Sequence, residues 1–168
     1  TRFYTRDALP LSVVAGTPSD SIAKWQGNER VLRTMPNTPA LIGKGITGLF
    51  ARPAATEADR QHAERVVSGM GQFLWLGAED LLDAVTAISG SGPAYMFYFM
   101  EAMTSAGAEM GLTREQAYQL AVATFIGAGE LAQSSHEPPE LLRQRVTSKG
   151  GTTHAAIVSM DEGHVKDL

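Results

Sequence analysis

The sequence contains no cysteine. That excludes disulfides, thiol nucleophiles and thiolate metal sites, and it accords with a reducing compartment. Charge is sparse: 14 Lys and Arg stand against 18 Asp and Glu in 168 residues, a net charge of −4. Such a balance provides no field to draw nucleic acid or an anionic membrane, so any bound anion needs a local site. No apolar run approaches the roughly 20 residues that a bilayer crossing takes. The four histidines, His62, His136, His154 and His164, are scattered without the short spacings of metal sites. The expectation is a cytoplasmic globular protein with no nucleic-acid, membrane or metal partner. What is plentiful is hydrophobic residue, at 43%, and glycine, 17 in number and often clustered between periodic segments. Such clusters mark tight turns and places where backbone approaches a ligand.

The segment that organises the chain is Ser89-Gly90-Ser91-Gly92-Pro93-Ala94-Tyr95 and the run Met96-Phe97-Tyr98-Phe99-Met100 that follows. Proline suits the first turn of a helix, where its missing N–H is not needed. The spacing predicts a helix from about Gly92 to Met110, apolar all round for more than two turns after Pro93. Such a helix must be covered on every side, and a second copy of the chain is the expected cover. Small residues Ala102, Ser105 and Ala106 mark a side on which another helix is expected to approach.

Residues 1–10 show no periodicity. Residues 11–15 read as a short buried strand, and Thr17 and Pro18 as N-cap and first residue of a helix with Ile22 and Trp25 on its apolar face. A second strand begins at Val31 and runs into Met35-Pro36-Asn37-Thr38-Pro39, a stiff loop in which Asn37 is either a ligand contact or an Asx turn. Gly43-Lys44-Gly45-Ile46-Thr47-Gly48 matches the dinucleotide fingerprint in letters only. A Pro-rich loop precedes it and a strand, residues 46–51, follows, whereas the fingerprint needs strand before and helix after. Thr56 opens the next helix, with Ala63, Val66, Val67 and Met70 as its face, and residues 72–76 form another strand. Beyond Gly77 only helix and loop are predicted. Leu81, Leu82 and Val85 mark a first helix. Thr113 to Gln116 is a capping box ahead of a stripe of Ala117, Leu120, Ala121, Thr124, Ala128 and Leu131. Pro138-Pro139 starts a short helix with Leu141, Leu142 and Val146 inward, and a last helix begins near Thr152.

The expected fold class is therefore α/β plus all-α. Residues 1–77 read as a small strand-and-helix domain, and residues 78–168 as a helical domain. Val146-Thr147-Ser148-Lys149-Gly150-Gly151-Thr152-Thr153 leads into the last helix. Glycines and threonines at a helix start supply free N–H groups, hydroxyls and the positive end of a dipole. The stretch is either an anion site or simply a capped helix.

Three motifs, residues 35–39, 89–95 and 146–153, resemble in order and spacing those of pyrroline-5-carboxylate reductase, from about Leu11 to the end of the chain. The last is the most specific, and it departs from the usual pattern only in having Lys149 where most members have Pro. The resemblance implies reduction of a cyclic imine to L-proline by hydride from NADP or NAD. It implies the C-terminal part of a Rossmann-type domain followed by a helical domain that dimerises, with higher assembly possible. Carried over by motif, Ser148, Gly150, Gly151, Thr152 and Thr153 would hold the substrate carboxylate. Ala15, Gly16, Asn37, Ser91, Gly92 and Pro93 would border the cofactor's nicotinamide. No proton donor is assigned. The resemblance further implies that the chain begins part-way through the Rossmann-type domain and stops before the family's final helix. Taken alone it is expected to bind cofactor weakly. Two other readings stay open: a different dehydrogenase of the same two-domain plan, and a non-catalytic helical dimerisation fragment.

Overall fold

The structure, a computed structural model, describes residues 8–167. Residues 1–7 of the aperiodic opening lie outside the described residues. Four strands form one mixed sheet in the order β1 (Leu11–Ser12), β2 (Leu32–Met35), β3 (Gly45–Ala51), β4 (Gly71–Trp75). β1 and β2 are parallel, with Leu11 opposite Leu32; β2 and β3 are antiparallel; β3 and β4 are parallel. Helices α1 (Ser19–Gln26) and α2 (Glu57–Ser68) connect the parallel pairs. The order strand–helix–strand–strand–helix–strand is the one read from the periodicity. After β4, helices and turns alone follow among the described residues: α3 (Leu81–Val85), a π-helical turn (Thr86–Gly90), α4 (Gly92–Glu109), α5 (Arg114–Ser134), α6 (Pro139–Arg145) and α7 (Thr152–Glu162). By packing, the chain divides into one unit up to Phe99 and another from Met100 onward.

In the first unit, Leu32, Ala51 and Ala63 form a buried cluster with Leu9, Leu11, Ala55 and Trp75 against it. α2 buries Asp59, Ala63 and Val67, spaced four apart, so Val66 of the expected face stays exposed. Thr56 and Asp59 form a reciprocal capping box at the start of α2. The same Asp59 carboxylate receives Arg30 Nε at 3.0 Å and Nη2 at 2.5 Å, which ties α2 to the residues entering β2. Arg30 holds this carboxyl far below its ordinary range, burial opposes that, and the Thr56 bonds add to it.

Several expectations need correction. β1 ends at Ser12, and Val13 and Val14 are exposed rather than stranded. Side chains of β2 replace the ladder there: Thr34 Oγ1 donates to the Ser12 carbonyl and Arg33 Nη2 to the Val14 carbonyl. α1 is capped at Pro18 and not Thr17, because the N–H and hydroxyl of Ser19 are both taken by Glu79, at 2.6 and 2.5 Å. Its buried face is Ser19, Ile22 and Ala23, while Trp25 is 69% exposed, one position off that stripe.

The three glycines of the false fingerprint each serve the fold. Gly43 terminates a 3-10 turn (Thr38–Ile42), Gly45 faces Gly71 across the sheet, and a Cβ on Gly48 would lie 3.0 Å from Val85 of α3. Gly45 and Gly48 lie within β3, so a strand and not a helix runs through the motif, as expected.

In the second unit, a Cβ on Gly107 of α4 would lie 2.8 Å from the Cβ of Ala117 in α5. α4 buries Thr104 and Gly107 there, while Ala102, Ser105 and Ala106 are exposed in the single chain. α5 buries Ala117 and Ala121, so that Leu120 and Leu131 remain exposed. Leu141 and Val146 of the α6 segment also remain exposed. A close approach made by small residues leaves the large ones outside it.

Candidate active site

β1 and β2 run parallel, so their carboxyl ends share one edge of the sheet. At such an edge α/β sheets receive ligands. Ala15 and Gly16 follow β1 and are exposed; Gly16 has φ +69° and open space where a Cβ would stand. Asn37 follows β2, half-buried, with extended backbone ahead of the 3-10 turn that Pro39 stiffens. Its Oδ1 accepts the Ile46 N–H at 3.0 Å and its Nδ2 donates to Ser89 Oγ at 3.1 Å. Of the two readings of Asn37, the Asx turn within its own loop is not formed, since no side-chain bond caps the turn. The carboxamide instead reaches two segments remote in sequence.

Ser89 belongs to the π-helical turn, closed by the Ser91 N–H donating to the Thr86 carbonyl at 2.8 Å. The Thr86 hydroxyl donates to the Leu82 carbonyl at 2.8 Å, a side-chain intrusion of the kind that distorts a helical ladder. Ser91, Gly92 and Pro93 come next, all half-buried, with Gly92 and Pro93 as the first two residues of α4. The first unit thus carries the six residues expected near a cofactor just after two parallel strands and at one helix start. The Asn37 to Ser89 bond links the second strand's end to the turn before that helix.

A carboxylate supports this edge from below. Glu79 takes Ser19 at its N–H and hydroxyl and Arg33 Nη1 at 2.8 Å, and Arg33 is 7% exposed in its side chain. Burial alone would raise the Glu79 carboxyl; the bonds from Ser19 and Arg33 outweigh it and hold the group below its ordinary value. Because Arg33 also holds the Val14 carbonyl, this cluster fixes the chain just before Ala15 and Gly16. Sequence reasoning missed both Glu79 and Ser89. Ser89 lies within the 89–95 motif, but nothing in the spacing tells which serine turns toward Asn37.

The second unit holds the other expected group. The Gly151 N–H donates to the Ser148 carbonyl at 3.0 Å, Gly150 stands at φ +75°, and Gly151 is the N-cap of α7 with no side-chain cap. Ser148, Gly150 and Thr152 are exposed; Gly151 and Thr153 are half-buried. An eleven-residue helix whose start has no side-chain cap offers its first N–H groups and two hydroxyls to an anion.

In sequence, α4 lies between the two groups. Tyr95, Met96, Phe97 and Tyr98 are exposed, Phe97 by 58% and Tyr98 by 72%, and the helix buries only Thr104 and Gly107. Residues 79–168 match the family model described as pyrroline-5-carboxylate reductase dimerisation. The chain belongs to that family.

A pyrroline-5-carboxylate reductase of Pseudomonas aeruginosa is 49% identical over 154 residues, covering 91% of this chain and 56% of the relative. Pyrroline-5-carboxylate reductase 2 of Bacillus subtilis is 38% identical over 167 residues, covering 99% and 60%. Among solved structures, the reductase of Coxiella burnetii superposes with a TM-score of 0.88 at 39% identity, covering 94% of this chain and 59% of that one. The Plasmodium falciparum pyrroline carboxylate reductase, solved with NADP bound, gives 0.86 at 29% identity, covering 93% and 63%. The chain spans less than two thirds of the length of each. These likenesses cover both units, so the mixed sheet with α1 and α2 is the Rossmann-type part of the reductase fold, and the helices within residues 79–168 are its dimerisation part. Among the described residues no helix is long and apolar enough to cross a membrane.

Proposed function

We propose that this chain is the nicotinamide-side and dimerisation part of a pyrroline-5-carboxylate reductase, which reduces the cyclic imine to L-proline with NADPH or NADH. The observation that carries the reading is the sequence agreement with such reductases over nine-tenths or more of the chain, at up to 49% identity. The chain's own geometry supports it. Gly16 leaves open space at the strand edge, and Asn37 and Ser89 supply hydrogen-bond donors there, which fits the flat, amide-bearing nicotinamide end of a dinucleotide. When bound, that cofactor supplies the hydride.

The protein's residues position and hold. The α7 start, with Ser148, Gly150, Gly151, Thr152 and Thr153, binds the substrate carboxylate by N–H and hydroxyl donors and by the helix dipole. Ala15, Gly16, Ser91, Gly92 and Pro93 would border the nicotinamide end of the bound cofactor. Asn37 fixes one edge of it. Alignment of two bound partners accounts for much of the rate enhancement in such transfers. A homodimer through α4, open to larger assemblies, and a cytoplasmic location complete the reading. The domain division read from sequence, 1–77 and 78–168, assigns α3, the π-turn and α4 to the dimerising part.

The test follows NADPH and NADH oxidation with pyrroline-5-carboxylate in the protein that carries this chain, with proline measured as product. Absence of proline at saturating cofactor overturns the reductase reading. Dimerisation without turnover would leave the helical dimerisation module as the function, a reading favoured by the family model falling on residues 79–168.

A further inference from the structure

The geometry points to Ser89 as a positioning residue that locks the Asn37 carboxamide, so that Asn37 presents an N–H, and not its oxygen, to the carboxamide oxygen of the nicotinamide. This rests on the reductase reading above.

The orientation of an Asn amide is settled by its partners, and here one partner is unambiguous. A backbone N–H only donates, so the end of Asn37 that meets Ile46 N at 3.0 Å is the oxygen. The NH2 end therefore faces Ser89 Oγ at 3.1 Å, and the serine oxygen accepts. Two donors remain: the second N–H of Asn37 and the hydroxyl hydrogen of Ser89. Both residues are half-buried, and Asn37 stands at the end of β2, on the edge shared with Gly16 at the end of β1. An edge that shows donors selects a ligand atom that accepts. A carbonyl oxygen suits these two donors, while Oδ1 of Asn37 is turned toward Ile46.

Ser89 reaches Asn37 because of the π-helical turn. The Ser91 N–H bonds five residues back, to Thr86, rather than four. Each residue advances an α-helix by roughly 100°, so one inserted residue re-aims the side chains of the turn by about that much. The distortion lies directly before α4. A π-turn that aims one serine at one amide is a device for orientation, whereas the α3 core contact is made by Leu82, earlier in the helix.

Two measurements test this. In the chain itself, the side-chain NH2 signals of Asn37, assigned by their loss in Asn37→Ser, should show one slowly exchanging proton. Ser89→Ala should release it, and Ser89→Thr, which keeps the hydroxyl, should restore it. In the protein that carries the chain, Ser89→Ala should weaken NADPH binding in a fluorescence titration by about 3–10-fold, the size of one neutral hydrogen bond. The 3-acetylpyridine analogue, which keeps the carbonyl oxygen, should lose the same factor. The thionicotinamide analogue, whose sulfur accepts poorly, should bind weakly to the wild type and lose nothing more.

An unchanged Asn37 signal in Ser89→Ala overturns the pairing. A changed signal with equal losses for all three cofactors, or with none, shows a merely structural serine and overturns the positioning role. A wild-type protein that binds NADPH and yields no proline overturns the reductase reading alone, since the NMR and analogue comparisons still report on Ser89. Failure to bind any of the three cofactors overturns both.

Discussion

Gly71 shows how narrowly single residues are specified. It stands at φ +131°, a region closed to side chains, and a Cβ there would lie 2.2 Å from the Gly45 carbonyl oxygen. Gly71→Ala is expected to destabilise the protein by about 2–4 kcal/mol, since β3 and β4 must part to admit the methyl group. Urea denaturation checks it, and an unchanged midpoint would mean that the strands separate freely. Thr153 carries a functional expectation at the same scale. It is half-buried at the start of α7, where hydroxyl and N–H meet the positive end of the helix. Thr153→Ala removes one charge-assisted hydrogen bond to the substrate carboxylate, roughly 1.5–3 kcal/mol, and should lower kcat/KM by about one to two decades. Most of the loss should appear in KM if ground and transition states hold the carboxylate equally. Thr152→Ala should cost less where only its N–H takes part. Steady-state kinetics on both variants decides, and a Thr153→Ala protein with wild-type kcat/KM places the carboxylate elsewhere.

Elements were legible in the sequence wherever local chemistry alone fixes them. The capping box from Thr113 to Gln116 closes as read, because its two bonds join residues three apart. Gly27 ends α1 at φ +63° for a similarly local reason. The start of α1 was misplaced because its first N–H is satisfied by Glu79, sixty positions away, which no local pattern announces. Ser89 was passed over for the same kind of reason, since its direction depends on a π-turn and its partner lies in another loop. The contact between α4 and α5 at Gly107 and Ala117 was not legible, because hydrophobic periodicity ignores residues that small. α4 itself was read correctly as a helix from Gly92, and its aromatic side chains are open in one chain. Phe97→Glu therefore has a split outcome. The isolated chain should keep its helix content, since the position is already 58% exposed, while a carboxylate desolvated between two copies should abolish the dimer. Circular dichroism and sedimentation at micromolar concentration read the two halves separately. A variant that stays dimeric would move the interface off this face.

At the scale of the molecule, acid should act on the sheet unit through two carboxylates. Asp59 and Glu79 both have folded pKa values below their ordinary ones. Groups of that kind contribute stability above the unfolded value, near 4, and lose it as pH falls through the folded value. Stability should thus be flat from neutral pH to about 5 and fall below about 4. Asp59→Asn should cost about 1–3 kcal/mol at pH 7 and reduce the slope below 4, because Asn keeps the Thr56 contact and loses the Arg30 pair. Urea midpoints across pH 7 to 3 measure both, and an equal slope in the variant would assign the acid response to other groups. The open aromatic face of α4 has a different reach. A folded chain that buries this face only against another copy draws part of its stability from mass action. Diluting it is then a form of denaturation: its midpoint in heat or urea slides with the amount of protein present, and the cell's supply of the chain sets how folded each molecule is.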